Sequence, residues 1–113
     1  MEYTDPLILS SVFALHFVGD FVMQTRTMAE NKSTSIKWLS SHVAVYSMFL
    51  LPFGVWFALL NGILHFATDY VTSRLTSKAW KEKKTHKFFT IIGVDQLIHS
   101  LCLVWSLYFL GII

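Results

Sequence analysis

Apolar positions fall in four blocks, at about 7–23, 36–51, 55–72 and 88 to the C-terminus. They predict helices at about 7–24, 36–51, 55–72 and 88–111. Asp5 and Pro6 suit a helix start, and Ser33, Thr34 and Ser35 are N-cap candidates for the second helix. Pro52-Phe53-Gly54 breaks the chain between the second and third blocks as a tight turn would. A spanning helix needs ~20 apolar residues. The second block is short for this unless its helix begins within the serine-threonine stretch or the bilayer thins around it. The expected fold is all-α: one bundle of four transmembrane helices covering 1–113.

Composition strengthens that reading. Of 113 residues, 54% are hydrophobic and 14% charged, and the apolar ones come in long blocks rather than scattered, as in integral membrane proteins. The net charge of +2 is no nucleic-acid signature, because the basic residues lie between apolar blocks. Arg26, Lys32 and Lys37 occupy the first connection; Arg74, Lys78, Lys81, Lys83, Lys84 and Lys87 occupy the last. The positive-inside rule puts both in the cytoplasm and both termini outside. Tyr3, Trp56, Trp105 and Tyr108 then mark the outer boundary, with Trp38 and Tyr70 at the inner one. The 73–87 connection reads as a solvated loop or as a segment on the membrane surface. The acidic start lacks the basic region of a cleaved signal peptide. Cys102 is the single cysteine and lies in an apolar block, so no internal disulfide forms.

The candidate chemistry is a repeated pair. His16 and Asp20, His65 and Asp69, and, reversed, Asp95 and His99 are each four residues apart, which places each pair on one helix face. Isolated carboxylates in apolar surroundings are costly. With helices one and three descending and helix four returning, every aspartate falls nearer the cytoplasm and every histidine one turn deeper. His42 falls near the aspartate layer. These seven residues are the expected metal ligands. Imidazole with carboxylate suits zinc, manganese or iron better than magnesium or calcium. Seven ligands exceed one tetrahedral zinc and suit two ions. A polar network between helices and a proton or ion pathway are the competing readings. His86 lies in the basic connection and is left out, while Gly19 and Gly62 read as close-packing positions.

At His16, at Gly19-Asp20-Phe21-Val22-Met23-Gln24, at Asn31-Lys32, at His42, at His65-Phe66-Ala67-Thr68-Asp69-Tyr70 and at Asp95-Gln96-Leu97-Ile98-His99, the chain resembles a family of small bacterial and phage membrane proteins known as domain of unknown function 3307. That resemblance covers nearly the whole chain and implies no established activity. A fainter similarity to small inner-membrane proteins described as metal-dependent hydrolases implies hydrolytic chemistry by analogy alone.

The expected protein is therefore a bacterial inner-membrane or phage-encoded membrane protein with a divalent transition metal, zinc first. It would hydrolyse a lipid or membrane-associated phosphoester. Asp95 is the candidate proton acceptor. Gln24, Arg26, Asn31, Lys32 and Arg74 are the candidate residues for an anionic head group. Membrane lipid is the expected partner, nucleic acid is not, and homo-oligomerisation stays open. Two other functions remain: proton or metal-ion transport, and a non-catalytic regulatory or structural role for the His/Asp cluster.

Overall fold

The computed structural model describes residues 4–113, and Tyr3 of the expected outer belt lies outside them. Helix α1 (Thr4–Phe17) holds Asp5 and Pro6 in its first turn and runs directly into a π-helical turn at Val18–Val22. Helices α2 (Arg26–Asn31), α3 (Ile36–Leu50), α4 (Val55–Lys81) and α5 (Thr85–Phe109) follow. Among the described residues the fold is all-α, as expected.

Caps explain several boundaries. The Thr25 hydroxyl accepts from Met28 N at 3.2 Å and starts α2. Ser35 accepts from Trp38 N at 3.4 Å and starts α3, so α3 does not reach back through the serine-threonine stretch. It stays at 15 residues. The Pro52 turn is a short 3₁₀ segment, Leu51–Phe53, closed by Gly54 at φ 123°, a conformation that glycine adopts freely.

The third helix departs most from expectation. It does not stop near residue 72 but continues to Lys81, for 27 residues in all. Its supposed loop is helix, and the true connection is only residues 82–84. Lys and Ala are good helix formers, and Lys78 and Lys81 in the last turn favour the negative end of the helix dipole. The helix ends in paired bonds from Lys83 N to Trp80 O and from Lys84 N to Ala79 O, with Lys83 at φ 57°, a Schellman arrangement.

The expected four spans are not all long and apolar enough to cross a membrane. Among the described residues two stretches are, Asp5–Val22 and Thr85–Phe109. The outward faces are nonetheless apolar: Phe17, Met48, Leu59, Ile63, Leu101 and Trp105 are all exposed. The interior divides in two. At one end Val12, Leu50, Phe57, Ala58, Leu103 and Leu107 form a packed apolar cluster capped by Tyr46. At the other, the histidines and aspartates are buried.

Glycine lets the helices meet. A Cβ on Gly62 would collide with the Ser47 hydroxyl, and one on Gly19 would lie 3.3 Å from Tyr46 Cα. Both fit the expected close-packing role.

Candidate metal centre

Four helical segments bring the ligand candidates together. The π-helical turn carries Asp20, α3 carries His42, α4 carries His65 and Asp69, and α5 carries Asp95 and His99. The π turn is closed by the bond from Met23 N to Val18 O at 2.8 Å, five residues back, and its wider winding re-aims the side chains on it.

Two groups of residues could hold a metal ion. The first is Asp20, His42, His65 and Asp69, all buried, with ligand atoms within 4.8 Å of one another. His42 Nε2 lies 3.1 Å from Asp20 Oδ1, 3.2 Å from Asp69 Oδ2 and 3.1 Å from His65 Nε2. His65 Nε2 lies 3.4 Å from Asp20 Oδ1 and 3.3 Å from Asp69 Oδ2. Metal–ligand bonds of ~2.0–2.2 Å imply tetrahedron edges of ~3.3–3.6 Å. Five of the six edges observed here, at 3.1–3.4 Å, are close to that. The donor set therefore could hold a metal ion.

The second group is Asp20, Asp95 and His99. His99 Nε2 lies 3.1 Å from Asp95 Oδ2 and 3.3 Å from Asp69 Oδ1. Asp20 belongs to both groups, and Asp69 turns its second oxygen towards His99. Three ligands would leave an ion here an open position.

Ring packing sets the imidazoles. His65 stacks on His99 with centroids 3.8 Å apart, and Tyr46 stacks on the other side of His65 at 4.0 Å. The Nδ1 atoms of His42 and His65 are buried and have no hydrogen-bond partner. The polar contacts of both rings are thus made through Nε2, towards the centre.

His16 falls outside both groups. Its Nε2 is 4.0 Å from Asp20 Oδ2, and its two nitrogens pair with Tyr46 Oη and Gln96 Oε1, each at 2.9 Å. It is tied to the centre through Gln96, whose Nε2 donates to Asp20 Oδ2 at 2.9 Å and to Asp95 Oδ2 at 3.1 Å. Gln96, Tyr46 and Thr72, which donates to Asp95 Oδ1 at 2.5 Å, were not anticipated as site residues. A signal existed: Tyr46 is four residues after His42, Thr72 is seven after His65, and Gln96 adjoins Asp95.

The head-group candidates separate into two sets. Gln24 and Lys32 line a cavity of ≈ 490 Å³ beside Asp20, Asp95 and Gln96. Lys32 Nζ also donates to Asp69 Oδ2 at 3.0 Å. Arg26 is solvent-exposed and pairs with Glu30 at 2.8 Å. Asn31 donates to the Thr27 carbonyl, and Arg74 lies over the Tyr70 ring. Those three do not line the cavity.

Fold and site together define an all-helical protein with a buried His/Asp centre able to hold metal. The chain belongs to the family described as Protein of unknown function (DUF3307), whose profile matches residues 8–112. No curated protein and no solved structure matches it.

Proposed function

We propose that this protein is an integral membrane, metal-dependent hydrolase acting on a membrane-associated phosphoester, with its centre towards the cytoplasm. The observation that carries the reading is that two metal-capable groups share Asp20 and adjoin an open cavity. Paired sites of this kind recur in phosphoester hydrolases. Membrane placement is supported by the distribution of side chains, apolar outside and ionic inside. At 25 residues, α5 is ~37 Å long, enough for the ~30 Å hydrocarbon layer.

His42, His65, Asp69 and Asp20 would hold one ion, and Asp20, Asp95 and His99 a second. The chemistry such ions would supply there is hydroxide near neutral pH and a polarised phosphoryl oxygen. Asp95 lies on the cavity wall and is oriented by Thr72 and Gln96, which suits it to accept the proton of the attacking water. Lys32 offers a positive charge at the same wall. The packed apolar cluster at the far end favours hydrolysis over transport, which needs a second mouth.

The test is purified protein loaded with Zn²⁺ or Mn²⁺ and offered a panel of lipid phosphoesters in mixed micelles. Cleavage is expected, with Asp95→Asn lowering the rate on the order of 10²-fold or more while bound metal falls less. A panel left uncleaved by metal-loaded protein that carries Zn²⁺ or protons across vesicles would replace hydrolysis with transport.

A further inference from the structure

The ≈ 490 Å³ cavity has two chemically distinct walls. The polar lining is Asp20, Asp95 and Gln96 with Gln24 and Lys32, of which both aspartates are buried; the apolar lining is Phe21, Trp80, Phe88 and Ile92, of which Phe21 and Trp80 are exposed. Trp80 and Phe88 pack with centroids 5.1 Å apart. Phe21 and Trp80 therefore carry the aromatic lining out to the protein surface. Gln24 adds an independent sign of a ligand, because its Oε1 is buried with no hydrogen-bond partner. An unpaired buried amide oxygen is costly, and rotation of the amide lets it meet either a donor or an acceptor.

Charge decides the order of binding. The cavity wall carries three carboxylates, Asp20, Glu30 and Asp95, and one ammonium, Lys32. Lys32 is itself engaged by Asp69 and Glu30 by Arg26, which leaves Asp20 and Asp95 to set the sign of the wall. Such a wall repels an anion. Cations held at Asp20 and Asp95 would reverse its sign, since a bound divalent ion is the largest local charge in its site.

We infer that this cavity is a phospholipid site that admits a phosphate head only after metal has bound. The head sits between the centre, Lys32 and Gln24, and the acyl chain runs along Phe21, Trp80, Phe88 and Ile92. Resting on the metal-centre reading, the inference concerns recognition and is independent of turnover. A lipid rather than a free phosphate is favoured because a free phosphate would leave the aromatic wall without a partner.

The experiment uses full-length protein in bicelles, either treated with EDTA or loaded with Mn²⁺. Dodecyl phosphate and inorganic phosphate are the probes, and ³¹P relaxation reports distance from the ion. Dodecyl phosphate should bind the loaded protein at least about tenfold more tightly than the stripped protein, with strong ³¹P broadening. Lys32→Met should weaken it on the order of tenfold, the worth of a charge-assisted hydrogen bond. Trp80→Ala and Phe88→Ala should each weaken dodecyl phosphate but not inorganic phosphate, and their retained Mn²⁺ certifies folding. Equal binding to stripped protein overturns the metal-first order. Inorganic phosphate binding as tightly as dodecyl phosphate overturns the lipid assignment. Loaded protein that binds neither probe overturns the cavity's role but leaves the metal centre standing. Protein that takes up no Mn²⁺ removes both.

Discussion

The Nε2 atoms of His42 and His65 face each other across 3.1 Å, from two different helices. Two N–H groups cannot point at one another, so at least one ring offers a lone pair there. Two carboxylate oxygens lie within 3.4 Å of the same atoms. Removing either ring takes a donor from the four-residue group. His42→Ala and His65→Ala should each lower transition-metal affinity at least about tenfold, and His86→Ala should not. Elemental analysis of purified variants measures this. Full metal content in both ring variants would leave the cluster a hydrogen-bonded network only.

Gln96 binds Asp20 and Asp95 with one amide nitrogen and so orients two members of the three-residue group. Gln96→Leu should weaken the second ion about 10–100-fold and the first, which shares only Asp20 with it, by less. An Mn²⁺ titration followed by EPR would show one tight and one weakened class. Two unchanged classes would reduce Gln96 to packing.

Gly62 sits where a side chain would strike Ser47. Gly62→Val should destabilise the α3–α4 contact by about 1–3 kcal/mol, as overpacking does. Ser47→Ala in the same chain should restore part of the loss. Thermal unfolding in detergent reads both, and an unshifted Gly62→Val midpoint would show that the helices part freely.

Orientation is open to a labelling test. With Cys102 replaced by alanine, a cysteine at exposed Lys83 should react with a membrane-impermeant reagent from the cytoplasm, and one at exposed Leu51 from outside. The opposite pattern would put the cavity mouth on the wrong face for a cytoplasmic substrate.

Much of the centre was legible because α-helical spacing is reliable where the helix is regular. His65 with Asp69, and Asp95 with His99, lie one turn apart on unbroken helices, and both pairs meet the centre. The His16 and Asp20 pair obeys the same spacing, yet the π turn intervenes and His16 turns instead to Tyr46 and Gln96. Backbone winding of that kind leaves no mark in residue type. Gln96 and Tyr46 are not legible as site residues because neither carries a charge whose burial would demand explanation. The length of α4 is hidden for another reason: a hydropathy block marks how far apolar sequence extends, and Lys, Ala and Trp continue a helix well past it. The π turn, Thr25 and Ser35 together fold the first connection so that Lys32 reaches Asp69, and no spacing in the sequence announces a contact across 37 positions.

A π-helical turn is an α-helix with one residue too many, and this gives the segment at Val18–Val22 an unusual genetic property. Losing one residue there should relax it into ordinary α-helix at little cost to the fold. The same loss would rotate Asp20 by about a quarter-turn, away from both ligand groups at once. A Val18 deletion is expected to keep its helical circular dichroism and lose its metal. The centre therefore hangs on helical phase within a single turn: an in-frame loss of three nucleotides, silent to the architecture, would separate a metal-binding descendant from an inert one.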